Sequence, residues 1–385
     1  MSRESGIGNR ESLLDSTLAH LRALVSFDTR NPPRAIDAGG IFDYLRAQLL
    51  GFGVRVTDHG VGAVSLFAVR GNPKILFNVH LDTVPDSPQW SASPFELRVA
   101  EDRATGLGAC DIKGAAATLL AVAKACDGDM ALLFTSDEEG ADPRCVRAFL
   151  DAASSPVPGP GSRVPAFECV LVAEPTGCQA VLAHRGIQSV LARFDGRAGH
   201  ASAEQKPTDS ALHQAVRWAD AALDHAQTQS RQVFGGLHGL RFNLGRIEGG
   251  IKANVIAPSA ELRFGMRPLP SMDMDRLLEQ LRTLVEPAPA EFCETFRGPP
   301  LPADTRNAEA RQRDAHTLAD ALDIPVGDTV DFWTEAALFS QAGYTSFVYG
   351  PGDIAQAHSA DEWVSLDQLQ RYAGSIHRIV AEGKA

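Results

Sequence analysis

The run Phe77-Asn78-Val79-His80-Leu81-Asp82 is apolar until it ends in a histidine and a carboxylate two residues apart. Side chains two apart on a strand point the same way. The spacing therefore predicts a metal-ligating His80 whose second ring N–H is taken by Asp82, which fixes the imidazole tautomer. The same dipeptide pattern also serves as an ordinary polar exit from a strand, so its weight comes from its company. Three other apolar runs end alike: Ala131 to Phe134 leads into Thr135-Ser136-Asp137-Glu138-Glu139, Val170 to Ala173 into Glu174-Pro175, and Ser346 to Tyr349 into Gly350-Pro351-Gly352 and then Ala357-His358-Ser359. Between the His80 run and the Ala131 run lies Gly106-Leu107-Gly108-Ala109-Cys110-Asp111-Ile112-Lys113-Gly114. Taken singly, Asp111 reads equally as a helix cap or as a ligand. Beside two histidines and several carboxylates, a shared carboxylate with nitrogen and oxygen ligands suits Zn²⁺, Co²⁺ or Mn²⁺.

Elements of a definite kind must position these groups. Short apolar runs separated by helical patterns mark a parallel sheet, and in open α/β sheets ligands bind beyond the carboxyl ends of the strands. Leu13, Leu14, Thr17, Leu18, Leu21, Leu24 and Val25 recur at helical spacing, a second helix is expected from Gly40 to Leu50, and Ala115 to Ala125 reads as an alanine-rich helix. From Gly186 to Pro299 the pattern changes. Ser189 to Phe194, Leu240 to Ile247, Ala260 to Arg267 and Glu291 to Phe296 read as strands, with helices over Thr208 to His225 and Met272 to Val285. The order βαββαβ predicts a ferredoxin-like insert. The fold class expected is a mixed, largely parallel α/β catalytic domain over 1–185 and 300–385, with helices on both faces, and a lid domain over 186–299. The stretch Ala152 to Pro165, rich in Pro and Gly, reads as a surface loop.

These motifs, in this order, resemble the co-catalytic metallohydrolases that include acetylornithine deacetylase, succinyldiaminopimelate desuccinylase, aminoacylase and glutamate-type carboxypeptidases. The resemblance runs from about Ser12 to the C-terminal helix. It implies one or two divalent ions per subunit, Zn or Co, with Asp111 bridging one ion held by His80 and Glu174 and another held by Glu139 and His358. It leaves Glu138 as general base and implies a cis bond between Asp111 and Ile112. It also implies that the insert is a lid and dimerisation domain, so a homodimer is expected. His200, in Gly199-His200-Ala201, then stabilises the oxyanion, in many relatives across the dimer interface. Lys252, Asn254 and Arg267 become candidates for holding the substrate carboxylate, although each also reads as a plain solvated or sheet-paired residue. Trp333 stands where smaller residues are frequent and should alter the pocket, and Glu335 nearby is a spare carboxylate.

Within that family the chain is most similar to the branch that deacetylates N-acetylcitrulline, in an acetylated route to arginine. Its competitor is N-acetylornithine, whose distal group is an ammonium in place of a neutral ureido group. A dipeptidase or carboxypeptidase would share the same metal and base motifs, and a non-catalytic binding protein could use the same scaffold. The composition fits a soluble enzyme that acts on a small molecule. The 385 residues, 44% hydrophobic, can bury two cores. The formal charge of −12 disfavours nucleic acid and anionic membranes as partners. Met1 to Glu11 carries no apolar core of the sort a signal peptide needs, and six cysteines without a CxxC pair read as reduced thiols. A cytoplasmic protein is therefore expected. Cys110 beside Asp111 reads either as a ligand or as a small packed residue.

Overall fold

The computed structural model describes residues 4–34, 36–140, 142–154 and 166–384, with side chains from Leu13 onward. In chain order its elements begin with α1 (Glu4–Val25), α2 (Ile41–Gln48), β1 (Gly53–Asp58), β2 (Val64–Arg70), β3 (Ile75–His80), β4 (Arg98–Ala100), β5 (Arg103–Thr105), α3 (Gly114–Ala125), β6 (Met130–Thr135), α4 (Cys145–Ser154) and β7 (Cys169–Val172). They continue with β8 (Ile187–Asp195), α5 (Ala211–Thr228), β9 (Val233–Phe234), β10 (Leu237–His238), β11 (Arg241–Gly249), β12 (Ser259–Arg267), α6 (Met274–Arg282) and β13 (Glu291–Gly298). The last are α7 (Ala308–Ala321), α8 (Ala336–Gln341), β14 (Thr345–Val348), β15 (Trp363–Ser365) and α9 (Leu366–Ala381). Two compact units result. One comprises Met1–Leu182, Gln312–Gly327 and Thr334–Ala385, the other Ala183–Arg311 and Asp328–Trp333.

The first unit is built on a six-stranded sheet in the order β1-β2-β6-β3-β7-β14. β6, β3, β7 and β14 run parallel, and β2 and β1 add an antiparallel edge, so the sheet is mixed and largely parallel. β3, β6 and β7 are buried along their whole length, which is why they read as unbroken apolar runs. Helices α1, α3 and α9 share the larger core on one face. The small side chains of α3 permit close packing there: a Cβ on Gly114 would stand 3.2 Å from Leu369 of α9. Leu119 and Leu120 of α3 are buried, each worth about 1.5–3 kcal/mol relative to exposure. On the other face α4 and α8 pack through Phe149 and Phe339, and Phe149 meets Phe67 of β2. The register pairs His80 with Thr135, Asn78 with Val172, and Val172 with Val348, so four strand ends open at one edge of the sheet. A second, three-stranded sheet, β15-β5-β4, pairs Trp363 with Thr105.

The second unit is a four-stranded antiparallel sheet in the order β11-β12-β8-β13, which is the ferredoxin-like arrangement of βαββαβ with the short β9–β10 hairpin inserted. Buried and exposed residues alternate along β12, because only one face is covered. The cover is α5 and α6, where the buried Trp218 packs on Phe264 at 5.0 Å and its indole N–H donates to the Leu281 carbonyl at 2.8 Å. Of the Pro- and Gly-rich stretch 152–165, residues 155–165 lie outside the described residues and 152–154 close α4.

Candidate metal centre

β3 ends at His80, so Asp82 lies beyond the strand and the alternation expected of the His80/Asp82 pair does not apply. The chain turns there, and His80 Nδ1 donates to the backbone carbonyl of Asp82 at 2.9 Å, while the nearest Asp82 carboxylate oxygen stands at 3.5 Å. A carbonyl can only accept, so Nδ1 carries the proton and the Nε2 lone pair is left free. That lone pair faces Asp111 Oδ1 at 3.3 Å and Glu174 Oε1 at 3.7 Å.

The Asp82 carboxylate is occupied elsewhere. Fully buried, it accepts the backbone N–H of Glu139 at 3.0 Å, that of Glu138 at 3.3 Å and the amide of Asn31 at 2.9 Å. Residues 138 and 139 are past the end of β6, so Asp82, and not strand pleating, sets how the two glutamates diverge. Their predecessors are structural: Ser136 accepts the Val64 N–H at 2.9 Å, and Asp137 accepts the N–H groups of Arg144 and Cys145 at the start of α4.

Asp111 sits in an irregular turn before α3, with φ −115° and ψ 82°, and its bond to Ile112 is cis. Gly108 ahead of it has φ +79°, and a Cβ there would stand 2.7 Å from Thr83, a close approach that requires glycine. His358 also has φ +56°, a left-handed conformation uncommon outside glycine that tends to be retained at functional sites. Its Nε2 lies 2.9 Å from Asp111 Oδ2 and 2.9 Å from Glu139 Oε1. Two ligand groups therefore form, His80 with Asp111 and Glu174, and Asp111 with Glu139 and His358, each with ligand atoms within 4.8 Å of one another. Asp111 offers one oxygen to each.

The electrostatics favour cations in both places. Burial raises the Glu174 carboxyl to about 7 and also raises Glu139, with neighbouring carboxylates adding to both shifts. Burial would raise Asp111 too, but His358 and His80 beside it outweigh that and hold its carboxyl below the usual range. His358 is raised to about 10 by Asp111 and Glu139. Burial opposes charge on His80, yet Glu174, Asp111 and Asp82 raise it well above its ordinary value. Both shifts mark the field of negative charge around the histidine nitrogens, the place a divalent ion would fill. Asp111 Oδ1 is buried and accepts no hydrogen bond, as expected of an oxygen kept for a metal. The donor set fits two divalent ions.

Glu138 is partly exposed beside this cluster. Removal from water raises its pKa well above the ordinary value, with Glu174, Glu139 and Glu335 contributing and His80 opposing. Glu335 is 1% exposed, with one oxygen accepting from Thr135 at 3.1 Å and the other unpartnered. Burial, and then Asp137, push it to about 8. Cys110 is buried and its thiol donates to the Asp353 carbonyl at 3.4 Å; it belongs to neither ligand group.

The remaining candidates lie in the second unit. His200 Nδ1 accepts the Ser202 N–H at 3.2 Å and lies 2.6 Å from the Ser202 hydroxyl, so the proton is assigned to the exposed Nε2. The Ala201 N–H donates to the Asn254 carbonyl at 3.1 Å, which gathers His200, Asn254 and the exposed Lys252 in one region before β12. Arg267 is elsewhere, at the far end of that nine-residue strand, about 27 Å along at strand rise. Trp333 donates its indole N–H to the Pro299 carbonyl at 2.9 Å and packs against Phe296. Sequence reasoning missed Asn31, which pairing of the Asn31 N–H with the Thr83 carbonyl brings to Asp82. It also missed Glu362, which accepts the N–H groups of Gly108, Cys110 and Asp111. The signal available for Glu362 was the acidic pair Asp361-Glu362, three and four residues after His358.

Residues 76–382 match the sequence profile of Peptidase family M20/M25/M40. The chain is 65% identical over 370 residues, 96% of its length and 98% of the relative's, to N-acetyl-L-citrulline deacetylase of Xanthomonas campestris pv. campestris. It is 31% identical over 308 residues, 75% of its length and 74% of the relative's, to acetylornithine deacetylase of Edwardsiella ictaluri. Among solved structures, an M20 family metallo-carboxypeptidase of Sulfolobus solfataricus shares the fold with a TM-score of 0.68 at 15% identity, covering 94% of this chain and 98% of the other.

Proposed function

The chain belongs to peptidase family M20/M25/M40, and we propose that within it this protein is a metal-dependent amidohydrolase that converts N-acetyl-L-citrulline to L-citrulline and acetate in arginine biosynthesis. The observation that carries the substrate is the 65% identity over 96% of the chain to a protein of that activity. One feature of the site favours citrulline over ornithine. Glu335, the spare carboxyl, is 1% exposed and hydrogen-bonded to Thr135, so it is enclosed and offers no accessible anion to an ornithine ammonium.

His80, Asp111 and Glu174 would hold one divalent ion, Zn or Co, and Asp111, Glu139 and His358 a second. When bound, such ions supply the Lewis acidity that brings the pKa of water to about 7 and polarises a carbonyl. Glu138 takes the proton of the attacking water and returns it to the leaving amide nitrogen. Its raised proton affinity suits both halves of that task. Asp82 holds the backbone of Glu138 and Glu139, so base and ligand keep their separation. His200, with its proton on the outward Nε2, donates to the oxyanion of the tetrahedral intermediate.

The inserted domain of residues 186–299 serves as lid and dimerisation surface, with 1–185 and 300–385 forming the catalytic domain. β11 is an unpaired sheet edge, and Ile247 on it, with Val216 and Leu223 on α5, are exposed apolar residues. The separation of His200, Lys252 and Asn254 from Arg267 along β12 supports the same assembly, because one substrate can meet both groups only if two copies contribute. Trp333, held by the Pro299 carbonyl and Phe296, stands where smaller residues are frequent and would alter the pocket. Six free cysteines, with no described helix long and apolar enough to cross a membrane, support a cytoplasmic setting.

The test is amine release from N-acetylcitrulline and N-acetylornithine in parallel, with metal-stripped protein to which Zn²⁺ or Co²⁺ is restored. A kcat/KM preference of about tenfold or more for the citrulline compound, about 1.4 kcal/mol in transition-state binding, is expected. Preference for ornithine would overturn the substrate, and release from neither would overturn the deacetylase reading.

A further inference from the structure

Glu362 is 2% exposed, yet it is a carboxylate with no ion-pair partner within 4 Å among the described residues. Its partners are three backbone donors on one short loop: Cys110 N–H at 2.8 Å and Asp111 N–H at 2.8 Å on one oxygen, and Gly108 N–H at 2.9 Å on the other. Convergent backbone N–H groups on a carboxylate are an anion nest, used here in reverse to fix the loop. The loop needs such a fixture. Asp111 and Ile112 have non-helical backbone angles, so a regular helical ladder does not hold this turn. The ladder between β15 and β5 holds Glu362 in place, with the Gly106 N–H donating to the Glu362 carbonyl at 3.0 Å. Buried Lys113 supplies a positive charge to the same region.

We propose that Glu362 is the positioning residue of the bridging carboxylate, locking the Asp111 loop to the segment that carries His358 so that the two metal-ligand groups assemble as one. His358 precedes Glu362 by four residues and reaches Asp111 Oδ2 at 2.9 Å, so a single short segment both supplies a ligand and holds the shared one. Asp82 does the equivalent for Glu139. The three ligands of the second group, Asp111, Glu139 and His358, are therefore held through two buried carboxylates, Asp82 and Glu362, that belong to neither ligand group.

The proposal rests on the metal-centre reading above. Its test is Glu362→Gln, which keeps the shape but turns an amide N–H₂ against one of the loop's N–H groups. Competition between the folded protein and a chelator for Zn²⁺ or Co²⁺ should show binding weakened about tenfold or more. Activity measured at saturating metal should fall in kcat, with KM within about twofold of wild type. Unchanged metal affinity in a folded Glu362→Gln, even with a lowered melting temperature, would overturn the positioning role and leave only a packing role. Wild-type protein that binds no divalent ion would instead overturn the metal centre itself. If the variant does not fold, hydrogen exchange of the metal-free wild type decides: the amides of Gly108, Cys110 and Asp111 should be protected, and exchange at the rate of open loops would overturn the proposal.

Discussion

Replacing Asp82 with asparagine separates two accounts of how this carboxylate works. If it orients the His80 imidazole, Asp82→Asn should release the ring. If it fixes the backbone of residues 138 and 139, His80 should be undisturbed, because its Nδ1–H is held by the Asp82 backbone carbonyl at 2.9 Å, which survives the substitution. The carboxylate receives three donors, at 2.9, 3.0 and 3.3 Å, and hydrogen bonds to a charged group contribute about 1.5–3 kcal/mol each. Asparagine keeps one oxygen and presents an N–H₂ to the remaining donors, so one to two bonds are lost, or about 2–4 kcal/mol of local order. Felt fully in the transition state, that lowers kcat by roughly 30- to 1,000-fold, with KM little changed. The assay pairs steady-state kinetics with imidazole ¹H–¹⁵N correlation spectra. A wild-type kcat, or a His80 ring that loses its Nδ1–H tautomer in Asp82→Asn, would refute the backbone-fixing account.

Glu138→Gln should lower kcat by about 10²- to 10⁴-fold, while metal stoichiometry and KM stay near wild type; turnover at the wild-type rate with metal retained would remove Glu138 from the mechanism. His184, fully buried with Nδ1 donating to the Arg185 carbonyl at 2.8 Å, is lowered by that burial from 6.5 to about 4, with Arg267 adding to the shift. Its folded pKa lies below its unfolded one, so as pH falls from 6.5 to about 4 the unfolded chain takes a proton that the folded chain refuses, and stability declines over that window. Denaturant titrations at pH 7 and pH 4 should find that wild type loses about 3 kcal/mol more than His184→Gln over this span; equal losses would show that another group carries the acid response.

The ligands were legible in the sequence because a buried parallel strand announces itself twice, first as an unbroken apolar run and then as an abrupt polar end. His80, Glu139 and Glu174 each follow such a run, and the register that pairs His80 with Thr135 and Asn78 with Val172 brings the ends level. The inserted domain was legible for the opposite reason: its strands alternate, since only one face is covered. The supports were not legible. Periodicity says where a strand is and not where its last hydrogen bond falls, so Asp82 looked like a strand residue aimed with His80. In fact β3 stops at His80 and Asp82 turns inward to a different task. Glu362 and Asn31 depend on pairings between residues about 250 and 50 positions apart in sequence, which no local pattern encodes.

That difference bears on how such a site is built. A ligand must present one atom at a strand end, which a two-residue motif can specify. Holding several mutually repelling carboxylates together before any cation arrives requires donors to be brought to them, and the donors available in a dry interior are mostly backbone N–H groups. Three carboxylates here carry that load: Asp82 for residues 138 and 139, Asp137 for the start of α4, and Glu362 for the Asp111 loop. Each is buried and none belongs to a ligand group. The ligands are thereby freed of structural duty, which is why Asp111 can keep an oxygen with no hydrogen bond. Substituting a support should therefore disturb where the ligands stand before it disturbs whether the fold forms, and metal affinity is the quantity in which that order can be read.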